Sequence, residues 1–199
     1  MSSPLYLHPV SQPVALFEQF IATAPQTIVL KEKIFSFSGD SFEIKLLDDA
    51  ATTLLKVDGA VFSLSGRKRV EDMHGNHLYD LRKEHMHLHT TYIMEDAAGT
   101  KICEVRSSYK LIGSKATATY TNPWDGRKVN LIMQGNWMDH RAKIVNEETG
   151  EPVASILRKR FTGRHIFFGQ DTYVVTVAPG VDTALIAGLC ICFDEKNND

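Results

Sequence analysis

The sequence predicts a mainly β fold: a closed antiparallel barrel of roughly ten to twelve strands around a buried C-terminal helix. Three observations predict it. Apolar and polar residues alternate with period two from Thr27 to Val177, and no helical pattern interrupts them. The alternating stretches recur as hairpin units with acidic, glycine-bearing turns. An unbroken apolar run, Ala184 to Phe193, follows the last stretch. Half-buried strands need something apolar to cover, and an all-apolar cylinder needs covering on every side. A barrel closed around the helix meets both needs and leaves no sheet edge. An open sandwich would leave one side of the helix wet.

The elements follow in order. Residues 1–13 carry Pro4, Pro9 and Pro13 and read as an extended leader. Val14, Phe17, Phe20 and Ile21 recur at helical spacing, so a short amphipathic helix is expected over Val14–Thr23, ended by Pro25. That makes 1–25 leader and short helix, and 26–199 a single barrel domain. Phe42, Ile44 and Leu46 alternate with Glu43 and Lys45; Tyr79 and Leu81 with Asp80 and Arg82; Cys103 and Val105 with Glu104 and Arg106. Val129, Leu131 and Met133 share a face, although Ile132 breaks the alternation; Tyr173, Val175 and Val177 close the series. The segments 70–82, 92–106 and 142–158 each read strand, acidic turn with Gly75, Gly99 or Gly150, strand, then a basic residue.

Pro179-Gly180 turns the chain, and Asp182 offers an acceptor for the free N–H groups of a helix start. The helix is expected at about 182–194, with Leu185, Ile186, Leu189 and Ile191 buried and Gly188 marking a close approach to the wall. Its apolar run of about 10 residues is roughly 15 Å long, against the ~20 residues that cross a bilayer.

Composition excludes several functions. A formal net charge of −2 over 199 residues argues against general nucleic-acid binding. The three cysteines, Cys103, Cys190 and Cys192, have no metal-ligand spacing and suggest a reducing compartment. Met1–Val10 has no basic n-region or apolar h-region, Ser2 stands where myristoylation needs glycine, and Asn197-Asn198-Asp199 offers no prenylation cysteine. A cytoplasmic protein, at most peripheral on a membrane, is expected.

Two stretches carry a resemblance. One runs Leu54-Leu55-Lys56-Val57-Asp58-Gly59, Phe62-Ser63, Arg67-Lys68-Arg69, Asp72-Met73-His74-Gly75 and Leu78-Tyr79-Asp80-Leu81-Arg82-Lys83. The other runs from Asp171-Thr172-Tyr173 through Pro179-Gly180-Val181-Asp182 and the apolar helix to Asp194-Glu195. From about Pro25 onward the pattern resembles the LURP-one-related proteins, relatives of the Tubby C-terminal domain and the phospholipid scramblases. The resemblance implies a Tubby C-terminal-like barrel of twelve strands around a central helix. In that superfamily plant members are linked to defence, Tubby domains bind phosphoinositides, and scramblases bind calcium and sit in membranes. No residue-level site motif of these relatives can be placed here, and the scramblase membrane and calcium signature is missing.

Candidate chemistry is sparse. His85, His87 and His89 alternate along one strand face, but same-face neighbours stand about 7 Å apart, too far to share one metal without a bend. Met86 and Leu88 supply the buried face, so a solvent-facing strand or loop is expected, with a metal site as the alternative. Lys31 with Lys33, Arg67-Lys68-Arg69 and Arg158-Lys159-Arg160 are the candidate lipid- or anion-binding residues. Acidic neighbours such as Glu32, Glu71 and Asp72 make an ordinary solvated surface the competing reading. No Gly-x-Ser-x-Gly elbow or P-loop is present, and Cys190 and Cys192 fall inside the buried helix, so neither catalysis nor a cofactor is expected. The carboxylate-rich turns read as hairpin tips rather than calcium loops. Trp124, in Asn122-Pro123-Trp124-Asp125-Gly126, is expected to cover a barrel end, with a membrane or partner contact as the alternative. The sequence thus points to a monomeric, non-enzymatic binding module for phosphoinositides or anionic membrane surfaces. Its alternative is a protein-interaction adaptor or structural protein with no lipid ligand.

Overall fold

Period-two alternation resolves into strands β1 (Gln26–Lys31), β2 (Phe42–Leu46), β3 (Thr53–Gly59), β4 (Lys68–Asp72), β5 (His77–Glu84), β6 (Thr91–Glu95), β7 (Lys101–Ser108), β8 (Ser114–Thr121), β9 (Lys128–Asn136), β10 (Arg141–Asn146), β11 (Pro152–Lys159) and β12 (Thr172–Val177), followed by helix α1 (Thr183–Asn198). The structure is a computed structural model that describes residues 7–31, 42–59, 67–84, 90–108, 114–136, 141–159 and 172–198. Each strand pairs antiparallel with its sequence neighbour, and β1 closes the circle by pairing β12 from Gln26↔Val177 to Lys31↔Thr172. The twelve-stranded closed barrel is therefore as expected.

Alternation decides which side chains point inward. Ile28, Ile44, Leu55, Val57, Tyr79, Leu131, Met133, Val175 and Val177 all lie in one core cluster with the helix. Outside the wall, Val29 and Val174 stand in register and are covered by Leu47 and Ala51 of the β2–β3 turn. The predicted hairpins close with Gly75, Gly99 and Gly150 at φ of 80, 79 and 72°. Their acidic residues have a local task. Asp72 Oδ1 accepts the N–H groups of His74 and Asn76 (2.8 and 2.9 Å), and Asp96 Oδ1 those of Ala98 and Thr100 (2.9 and 2.8 Å). These turns share one rim of the barrel, the turn rim. The opposite rim is where β1 ends at Lys31 and β4 begins at Lys68.

Helix α1 starts at the turn rim and fills the barrel. Every residue from Val181 to Phe193 is buried. Tyr79 Oη donates to the Ala184 carbonyl at 2.8 Å, tying wall to helix. A Cβ on Gly188 would stand 2.7 Å from Tyr79 Oη and 2.8 Å from the Met94 methyl, so the glycine permits the approach. Gly188→Ala gains about 1 kcal/mol of helix propensity. Against that, Tyr79 is pinned by its hydrogen bond, and overpacking costs about 1–3 kcal/mol. We expect a lower urea midpoint with an unchanged slope; an unchanged midpoint would mean that Tyr79 and Met94 can step aside.

The leader departs from expectation. No helix forms over Val14–Thr23; a single 3-10 turn, Glu18–Phe20, is all that coils there. Its N–H groups have better acceptors elsewhere. Val14 N–H bonds the Gly180 carbonyl (3.1 Å), Ala22 N–H the Val181 carbonyl (2.9 Å), and Val10 N–H the Pro179 carbonyl (3.0 Å). Val14 bridges Val181 in parallel and Ile21 bridges Asp182 antiparallel, so the leader wraps the turn between β12 and α1. Leu7, Val14, Ala15 and Ala22 are buried by this wrapping. Tertiary pairing has overridden a local helical pattern of marginal length.

Candidate functional site

The barrel interior offers no polar cleft among the described residues, because α1 occupies it. Cys103, Cys190 and Cys192 are buried, and none is in a disulfide. Burial pushes the Cys103 thiol up to about 12, so it stays protonated and behaves as a small apolar filler. Among the described residues no three His, Cys, Asp or Glu gather at metal-binding distance. The His85, His87 and His89 cluster lies outside the described residues.

The most densely bonded interior group is the Asp182 carboxylate. Oδ1 accepts the N–H groups of Ala184 (2.8 Å) and Leu185 (3.0 Å), capping α1 as expected. Oδ2 accepts those of Leu16 (3.0 Å) and Phe17 (2.9 Å), which ties down the leader. Burial pushes this carboxyl up to about 6, against the pull of the four N–H donors. Phe17 in turn stacks on Tyr79 with ring centroids 5.7 Å apart. Leader side chains thus cover the turn rim. Trp124 does not: it is 48% exposed, because Leu16 and Phe17 already fill the position expected for it.

The basic candidates converge only in part. Lys31 pairs with Thr172, and Thr172 pairs with Lys159, so the two lysines flank one position of β12 at the opposite rim. Arg158 is in register with Tyr173. Lys33 and Arg160 lie outside the described residues. Arg67, Lys68 and Arg69 reach the same rim on β4, three strands from β1. The run from β11 round to β4 spans about 24 Å along the sheet at ~4.8 Å per strand step, so these residues border an arc rather than a compact pocket.

Strand geometry also splits Arg67-Lys68-Arg69. Val70 and Tyr79 face inward, which places Lys68 in the inward phase and Arg69 in the outward one. Arg69 Nε meets Glu71 at 2.6 Å. Arg67 forks between Asp80 (2.9 Å) and Glu95 (3.0 Å), and Arg82 Nε holds the other Glu95 oxygen at 2.6 Å. His77 Nε2 lies 3.0 Å from Asp80. Arg67 is therefore chiefly a clamp on the outer wall, with its charge shared by two carboxylates.

Sequence reasoning missed Lys83, Lys115 and Arg141. Lys83 pairs with Tyr92, Lys115 with Ser108, and Arg141 with Leu157, all near the rim that holds the predicted cations. The signal was available in the hairpin pattern. Acidic turns followed by the basic far ends of β5 and β11 place these charges at opposite rims, although Lys101, Arg127 and Lys128 stay on the turn rim. The turn rim carries Asp48, Asp49, Asp72, Asp96, Asp125, Glu147, Glu148 and Glu151.

Comparison with known proteins agrees with this architecture. The family model described as LURP-one-related matches residues 26–194. Protein LURP-one-related 15 of Arabidopsis thaliana is 25% identical over 191 residues, covering 94% of this chain and 87% of that protein. Protein LURP1 of the same plant is 25% identical over 187 residues, covering 92% of this chain and 89% of that protein. The crystal structure of an Arabidopsis thaliana protein superposes with a TM-score of 0.63 at 22% identity, covering 91% of this chain and 96% of that one. This last likeness establishes the shared fold alone.

Proposed function

The chain belongs to the LURP-one-related family, and from that premise we propose that it is a non-enzymatic binding module whose basic rim meets anionic membrane surface, with phosphoinositide headgroups as the leading ligand. The observation that carries the reading is the charge polarity of the barrel: Lys31, Lys68, Arg158 and Lys159 border one rim, and the acidic turns occupy the other.

The net charge of −2 does not oppose this. Strands of five to nine residues separate the rims by roughly 17–30 Å at ~3.3 Å per residue. The Debye length at physiological salt is about 8 Å, so the acidic turns are screened from a surface touching the opposite rim. Each lysine or arginine near an anionic bilayer contributes about 1 kcal/mol. Four to six of them suffice for salt-sensitive peripheral binding. Apolar insertion plays no part, because the one long apolar segment is committed to the core, and no helix among the described residues is long and apolar enough to cross a membrane.

Vesicle co-sedimentation tests the proposal. Phosphoinositide vesicles should retain the protein at low salt and release it as salt rises. Lys31→Glu with Lys159→Glu should weaken retention at least about tenfold, from two lost attractions and two new repulsions. Arg67 is a poor choice for reversal, because Asp80 and Glu95 would lose their partner. A protein that ignores phosphoinositide vesicles at low salt has no lipid ligand of this kind, and the adaptor reading then stands.

A further inference from the structure

We propose that the turn rim is a docking surface for a second ligand: a lysine- or arginine-rich protein segment that carries one apolar anchor residue. This goes beyond the membrane reading and uses the opposite pole of the barrel.

Among the described residues, the exposed large apolar side chains are Met73 (43%) and Trp124 (48%), and both stand on hairpin tips of this rim. Trp124 rides on a braced turn. Its N–H bonds Asn122 Oδ1 at 3.0 Å, and Asn122 N–H bonds the Arg127 carbonyl at 2.7 Å. Arg127 is fastened to Asp125 at 2.6 Å and also to Gln12 of the leader. A large aromatic on a rigid, solvent-facing support loses little entropy on binding, which is why such residues dominate interface energetics. Beside it runs a groove of about 290 Å³, walled by Leu16 and Phe17 on the leader and by Ile102 and Pro123 on the hairpins. The leader wall is preformed, because Asp182 holds the Leu16 and Phe17 N–H groups. The groove admits an apolar side chain of leucine or methionine size.

Charge selects the partner. Asp96 lines the groove, and Glu18 lies on the adjoining leader turn. Among the described residues no cation reaches ion-pair distance of Glu18, Asp96, Glu147 or Glu148. Lys101, which also lines the groove, is engaged by Glu104 at 2.7 Å, and Arg127 by Asp125. Lys128, exposed and paired with Thr121 of the groove, adds a third cation, but the carboxylates of the turns outnumber Lys101, Arg127 and Lys128, so the field over the rim as a whole is negative. It repels an anionic bilayer and attracts a basic segment, so Trp124 serves a protein contact rather than a membrane wedge.

The test uses the full chain and a short synthetic peptide of lysines and arginines around a single leucine. Its controls are the same peptide with glutamates and the same peptide with leucine replaced by serine. Two tryptophans give two indole signals, and Trp124→Ala assigns one of them. The basic peptide should shift the Trp124 indole and bind at least about tenfold tighter than either control, about 1.4 kcal/mol. Trp124→Ala should weaken it comparably while leaving the melting temperature in place. Glu147→Lys with Glu148→Lys should weaken it at low salt alone. The proposal is overturned if the glutamate peptide binds as well, if Trp124→Ala binds undiminished, or if the shifts map to the opposite rim. Concentration-dependent sedimentation that Trp124→Ala abolishes would also overturn it, because the occupant would be the basic rim of a second copy.

Discussion

A chain ended at Gly180 is expected to accumulate as insoluble protein, and Leu189→Asp is expected to come close to it. Leu185, Ile186 and Leu189 are fully buried, and Ile191 and Phe193 nearly so. Each such side chain is worth about 1.5–3 kcal/mol on burial, so the five together contribute on the order of 10 kcal/mol, comparable with the whole stability of a typical domain. Truncation also strips the inward faces of twelve strands of their cover. The single substitution keeps the helix but buries a charge with no partner, at a cost of several kcal/mol. Soluble yield and calorimetry decide the matter. A truncated chain that stays in solution and melts in one sharp transition would show that the wall stands without its filling.

Asp182→Ala carries the second largest expected loss, about 3–6 kcal/mol from a missing helix cap and two stranded leader N–H groups. Asp182→Asn separates the two tasks. Its carbonyl oxygen can still cap Ala184 and Leu185, but its NH₂ would face the Leu16 and Phe17 N–H groups, donor against donor. The leader should then become open to limited proteolysis below the melting temperature, while Asp182→Ala lowers the melting temperature itself. If protease leaves the leader of Asp182→Asn intact, the backbone bonds to residues 179–182 suffice to hold it.

Acidity gives an independent check on Asp182. The folded group releases its proton near pH 6 and the unfolded one near its ordinary 3.8. Between these the folded chain binds more protons, so the contribution of this group to stability falls as pH rises through that window. The stability difference between native protein and Asp182→Asn should therefore shrink from about pH 4 to about pH 6 and stay level above. A difference that grows over that range would place the folded carboxyl below its unfolded value.

The barrel and its filling were legible because each rests on local regularity. A segment apolar on all sides, such as 184–193, has one soluble solution, and period two names the inward face of a strand without knowing its neighbour. The leader was not legible. Val14, Phe17, Phe20 and Ile21 satisfy helical spacing, but their fate depended on acceptors over 150 residues away, such as the Gly180 carbonyl and Asp182 Oδ2. Pro13 and Pro25, which bound the segment, were a fair warning. The basic runs misled for a similar reason. Contiguity in sequence is not contiguity on a strand, so Lys68 parts from Arg67 and Arg69. The carboxylates that engage Arg67 lie 13 and 28 residues away, and they could be named only once register was known.

The position of α1 after all twelve strands in chain order has a consequence for biosynthesis. A ribosome adds about 5–20 residues per second, so every hairpin emerges before the segment around which it must curve. The closing β1–β12 pair likewise joins residues 26 and 177, a separation that makes loop closure slow. For many seconds the nascent chain presents apolar strand faces and unpaired edges with nothing to receive them. Barrel closure therefore waits until β12 and α1 have left the ribosome, and holdase chaperones are expected to govern yield in that interval.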